Sequence, residues 1–195
     1  MKHDLHLRGF AFGLRPITLE DAEFILELRA DRQRSRFLHP IALSVEAQRA
    51  YLEEYFKRED DYYFVVERQR ENSREGLAAI YNVDAQKRSA EWGRWILRPG
   101  SLASAESALR IYEAAFDYLH LEEVHCHTIS ENRAVVSFHD RCGLTRRATL
   151  PRYFTIDQMT YDAVEHVLTR QNWPRVRQSM EPIAKMIGER LQDRS

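Results

Sequence analysis

Apolar and polar residues alternate along this chain at two different periods, and the points where the period changes divide it into elements. "FGLRP" (12–16) reads as a short strand closed by Pro16. Thr18 stands three residues before Asp21 in the manner of a helix N-cap, and Ala22, Ile25, Leu26 and Arg29 follow at helical spacing. A second helix, capped by Ser44, gathers Val45, Tyr51, Leu52, Tyr55 and Phe56 on one stripe. From residue 62 the period falls to two. "YYFVVER", "GLAAIYNVD" and "AEWGRWILRP" predict three strands, parted by a polar turn at 69–74 and a hairpin loop "AQKRS". A long helix is expected over 103–119, with Leu109, Tyr112, Ala115, Phe116 and Leu119 on one face. "EVHCHTIS" returns to strand, "NRAVVSFHDRC" is a helix stopped at Gly143, and "QMTYDAVEHVL" closes as a strand or short helix. Beyond Pro174, Met180, Ile183, Ile187 and Leu191 recur at helical spacing. The order β-α-α-β-β-β-α-β-α-β implies one α/β (α+β) domain over 1–173 with a mostly antiparallel sheet. The helical extension 174–195 must pack on that domain or on a partner chain.

Composition narrows the classes. Apolar residues at 44% are enough for a core in a chain of 195, and a net charge of -1 gives no electrostatic footing for nucleic acid or an anionic membrane. No apolar run approaches the roughly 20 residues of a membrane span. The N-terminus mixes charge throughout, without the apolar stretch of a signal peptide, so a cytoplasmic location is expected. Cys126 and Cys142 do not make a disulfide framework. In "HCH" (125–127), strand alternation turns Cys126 away from both histidines, and two imidazoles alone do not make a zinc site; no metal is expected. The basic run "RADRQRSR" reads as a solvated helix end and loop. Asn132 and His139, seven residues apart, share a helix face.

The element order, with "WILRPGSLASAES" feeding the long helix and "ENRAVVSFHDRCGL" after the next strand, resembles the GNAT superfamily of acetyl-CoA-dependent N-acetyltransferases over about residues 14–173. That resemblance implies a sheet splayed between its fourth and fifth strands, with the pantetheine arm of acetyl-CoA in the gap. Trp95, Ile96 and Leu97 would line the arm, and the amides of Leu102, Ala103, Ser104 and Ala105 would cradle the pyrophosphate at a helix N-terminus. The family cradle usually reads Arg-x-x-Gly-x-Gly/Ala. Here "RPGSLASAES" puts Leu102 and Ser104 where glycines are expected.

Asn132 corresponds to a cofactor-contacting asparagine, and His139 stands where a tyrosine general acid is common. "NRAVVSFHDRCGL" in this respect resembles the nucleotide-amino-sugar N-acetyltransferases of pseudaminic-acid biosynthesis, whose pattern is Asn-x-x-Val-Ile-x-Leu-His-x-Lys-Phe-Gly-Phe. A histidine acid titrates near neutrality and would set the alkaline limb of activity. Strand alternation puts Glu91, Gly93, Trp95 and Leu97 on one face. Glu91 would then be the base that frees the amine, with a pKa raised by Trp92 or Trp95, and His127 is the second candidate. Arg32, Arg34, Arg36, Arg152 and Tyr153 border the acceptor side and could hold an anionic acceptor. The favoured acceptor is a nucleotide-linked amino sugar. A protein N-terminal amine of the ribosomal type, a non-catalytic acyl-CoA-binding or interaction domain, and a homodimer also stay open.

Overall fold

The computed structural model describes residues 3–31 and 35–193. Its centre is a seven-stranded sheet: β1 (Phe12–Pro16), β2 (Tyr62–Arg68), β3 (Ser73–Asp84), β4 (Ser89–Leu97), β5 (Glu123–Ile129), β6 (Thr145–Ile156) and β7 (Met159–Thr169). The spatial order is β1-β2-β3-β4-β5-β7-β6, and every neighbouring pair is antiparallel except β4 and β5. One face lies under α1 (Ala22–Ala30) and α2 (Val45–Tyr55), around a core that includes Phe24, Tyr55, Val65 and Leu77. The other lies under α3 (Ser104–Glu113), α4 (Arg133–Arg141) and α5 (Trp173–Gln192), where Phe64, Trp92, Tyr112 and Phe116 are buried. Among the described residues no helix is long and apolar enough to cross a membrane.

The caps are those the spacing predicts. Thr18 and Asp21 form a capping box, and the Ser44 hydroxyl accepts the Ala47 N–H at 3.1 Å. Asp21 also takes a two-pronged ion pair from Arg15, which ties β1 to the entry of α1. The expected long helix instead breaks into α3 and a π turn, Ala114–Tyr118. The closing segment is strand β7, and β6, to which the sequence pattern assigns no element, is its hairpin partner. Of the twelve residues of β6 only Ile156 is buried, so this edge strand lacks the apolar alternation by which strands announce themselves.

The break in β4 matters most for the site. Leu77 pairs with Ile96 but Ala79 pairs with Gly93, so Ala78 of β3 faces both Arg94 and Trp95. This bulge, with Arg94 at φ 49°, reverses the alternation. Glu91, Gly93 and Ile96 lie on the α1/α2 side, while Trp92, Trp95 and Leu97 turn toward α3 and α4. The expectation that Glu91, Trp95 and Leu97 share a face is therefore corrected: an extra residue shifts the period by one. Beside it, β4 and β5 pair only from Ser89–Glu123 to Glu91–His125, and diverge beyond.

Helix α5 lies against α3 through Trp173, Val176, Met180 and Ala184. Ile187 and Leu191 pack at the core's margin, but Ile183 is 48% exposed and does not belong to the buried stripe. Gly188 sits on Phe10, where a Cβ would come within 2.7 Å of the Phe10 Cβ. Gly188→Val is expected to cost about 1–3 kcal/mol by overpacking, whereas Ile183→Asp should stay within about 0.5 kcal/mol. Urea unfolding of both variants checks the assignment, and equal losses would refute this docking face.

Candidate active site

The divergence of β4 and β5 opens a cavity of about 380 Å³ that runs from the α1/α2 side to α4. Glu91 to Trp95 of β4 form one wall and Cys126 to Ile129 of β5 the other; Asn132 and His139 close it from α4. The seven-residue spacing thus brings both α4 residues to one site, and the Asn132 side chain makes no cap bond to its own helix.

Glu91 and His127 meet in this wall. The Glu91 carboxylate lies 3.0 Å from His127 Nδ1, accepts the Tyr81 hydroxyl at 3.1 Å, and is reached by the Asn82 amide at 3.4 Å. Burial pushes the Glu91 pKa up. The hydrogen bond from His127, that imidazole's charge and the Tyr81 hydroxyl together outweigh it, and the group sits below the ordinary carboxylate value. The raised pKa expected from tryptophan contact is corrected: hydrogen-bond donors face the carboxylate, and the bulge sends Trp95 to the far side. Tyr153 stacks on the His127 ring with centroids 4.5 Å apart. Beyond it Glu165, locked by Arg147, stands 3.5 Å from His127 Nε2.

His139 is 2% exposed, set edge-on to Trp92 at 5.4 Å between centroids and close to Phe138. Burial, helped by the neighbouring His166, lowers its pKa to about 3. The expectation of titration near neutrality is therefore corrected: the Asp140 charge opposes the desolvation but is outweighed by it, and the imidazole stays neutral at physiological pH. Its neighbour His166 is fully buried and bonded to Asp140 at 3.0 Å. His166 and Tyr81 were not singled out in the sequence. Each lies on an apolar strand, and only strand register shows what it faces.

Trp95 rests against Phe138 at 5.0 Å and donates its indole N–H to Ser107 at 3.1 Å. Leu97 is half-buried on that same side, while Ile96 is buried on the α1/α2 side, away from Trp95. Counted from Arg98, the family's Arg-x-x-Gly-x-Ala spacing falls on Ser101 and Ala103 rather than Leu102 and Ser104. Both are small, and Ala103 is fully buried under the loop. Gly100 takes φ 75°, and the Leu102 side chain is 49% exposed, off the path of the loop amides. Ser104 and Ala105 open α3, and in the loop before it the Ala103 N–H lies 3.3 Å from Ser101 Oγ. Glu106, the acid in that first turn, is turned away to accept the N–H groups of Phe10, Ala11 and Phe12.

Of the arginines expected near the acceptor, Arg32 and Arg34 lie outside the described residues. Arg36 is exposed over the Phe37 ring, and Arg152 is exposed with its N–H on Asp162. Neither lines the cavity; Arg29 and Arg94 do. Arg94 makes a two-pronged pair with Asp61, both contacts 2.8 Å, and its guanidinium covers the rings of Tyr63 and Tyr81.

A sheet split at its one parallel pair, with a small-residue loop leading into a helix beside the split, defines an acyl-transfer fold. Residues 12–145 match the profile of the acetyltransferase (GNAT) domain. The chain belongs to this family and is an acetyl-CoA-dependent N-acetyltransferase. Its fold is similar to that of apo FdhC, a nucleotide-linked sugar GNAT, at 24% identity and TM-score 0.77 over 92% of this chain and 99% of that one. It is also similar to the spermidine N-acetyltransferase of Vibrio cholerae in complex with CoA and spermine, at 22% identity and TM-score 0.76 over 84% and 98%. No curated protein matches the chain at significant similarity.

Proposed function

We propose that this enzyme transfers the acetyl group of acetyl-CoA to the primary amine of a nucleotide-linked amino sugar. The observation that carries the reading is the Glu91–His127 pair, set in the cavity wall across the split from Asn132 and His139. The pair takes the proton of the acceptor ammonium, and the freed nitrogen attacks the thioester carbon. A C–N bond forms, the C–S bond breaks, the sulfur leaves with the electron pair, and the nitrogen sheds its second proton to solvent. Neutral His139 gives a hydrogen bond to that sulfur rather than a full proton, which reaches it from solvent. Asn132 holds the pantetheine arm along Trp95 and Leu97, and the amides of Leu102 to Ala105 hold the pyrophosphate.

The acceptor class follows from charge. Among the described residues lining the cavity, Glu91 is the one carboxylate, and it is committed to His127 and Tyr81. A polyamine would find no second anion for its other ammonium groups. The rings of Tyr51, Tyr81 and Phe154 instead suit the flat faces of a sugar. Thiol release with a panel of amines tests the reading. UDP-linked amino sugars are expected to support turnover, and spermidine and N-terminal peptides are not; turnover on spermidine alone would refute the acceptor assignment.

A further inference from the structure

Arg29 stands in the last turn of α1 and lines the cavity half-buried, with no carboxylate paired to it among the described residues. Most partly buried guanidinium groups here hold a carboxylate: Arg15 on Asp21, Arg94 on Asp61, Arg110 on Glu113. Arg29 does not. Among the described residues its one hydrogen bond goes to the carbonyl of His39, and its Nε, shielded from solvent, has no acceptor. Desolvation lowers its pKa, and the groups that oppose this are the phenols of Tyr63 and Tyr51, not an acid.

A guanidinium partly withdrawn from water without an anion is costly, and its planar fork is shaped for a carboxylate or phosphate. The surroundings are those of a built site. Gln48 is 5% exposed, lines the cavity, and stands one helical turn before Tyr51 on α2. The amide and the phenol add donors beside the charge.

The place is informative too. Tyr63 is on β2 and Glu91 on β4, with β3 between them, which separates this end of the cavity from the base by two strand spacings, roughly 10 Å. Arg94 and Tyr81 fill the interval. A group held at Arg29 would thus be remote from the amine.

We infer that Arg29, with Gln48 and Tyr51, forms a binding site for an anionic oxygen group, phosphate or carboxylate, carried by the acceptor at the end remote from its amine. The inference rests on the acetyl-transfer reading only in assigning this cavity to the acceptor. Binding itself can be measured without turnover. The full-length protein, saturated with CoA so that the coenzyme's own phosphate site is occupied, is titrated with inorganic pyrophosphate and with malonate, followed by tryptophan fluorescence. At least one of the two is expected to bind, and Arg29→Gln is expected to weaken it at least tenfold. Arg29→Lys, which keeps the charge and loses the fork, should retain an intermediate affinity, and circular dichroism verifies that both variants fold. Pyrophosphate as the tighter ligand assigns a phosphate, malonate a carboxylate. Binding that is absent in the wild type, or unchanged in Arg29→Gln, overturns the site. A protein that binds the anion through Arg29 yet acetylates no amine would overturn the function instead.

Discussion

Glu91→Gln is expected to lower kcat by ~10²–10⁴-fold, the usual contribution of a positioned acid–base group, with little change in the KM for acetyl-CoA. The substitution keeps the side chain's shape and its contact with Tyr81, but removes the charge that faces His127. The pH dependence has a definite sign. Because the folded-state pKa of Glu91 is depressed, its carboxylate persists through the assay range, and its activity falls only as pH drops below the ordinary carboxylate value. No Glu91 limb is therefore expected between about pH 5 and 8. His127→Asn removes the leading influences that hold the pKa down and leaves the burial that pushes it up. In that variant the acid limb should move to higher pH. Steady-state kinetics of both variants against pH decide the matter, and Glu91→Gln within threefold of wild type would remove the carboxylate from the chemistry.

Arg94→Ala is expected to destabilise the protein by about 3–5 kcal/mol, because it leaves the Asp61 carboxylate without its two-pronged partner. Asp61 is 3% exposed, and Arg58, 3.5 Å away, is itself largely in solvent, so it returns only part of the loss. The variant also uncovers the rings of Tyr63 and Tyr81. Replacing both partners by apolar residues, Asp61→Leu with Arg94→Met, should cost much less than the single change, since no buried charge is stranded. Urea midpoints of the single and double variants measure this directly. A loss under 1 kcal/mol in Arg94→Ala would mean that the pair is solvated in solution.

Features written in local spacing could be read directly from the chain. The Thr18–Asp21 box, the Ser44 cap and the common face of Asn132 and His139 each follow from positions a few residues apart. What escaped depends on contacts between distant segments. β6 carries almost no buried residue, so its strand character comes from pairing with β7 rather than from its pattern. Strict alternation put Trp95 beside Glu91 because a bulge is visible only once β3 fixes the register of β4. The identity of His139 was plain, but its pKa is a property of Trp92, Phe138 and His166 closing around it. Arg29 looked like an ordinary helix-face residue, since the lack of a counter-ion among the described residues is a fact about the cavity.

The reversal at Arg94 has an evolutionary reading. One strand presents Glu91 to the side where α1 and α2 lie and Trp95 to the side of α3, so under the proposed function amine and acyl donor would meet opposite faces of it. Under the proposed assignment, drift at Arg29, Gln48 or Tyr51 would change which amine is accepted while the acyl-donor wall keeps its packing. Such a partition lets a lineage diversify its acceptors on a constant donor, and it marks α1 and α2 as the ground on which directed evolution of this enzyme should begin.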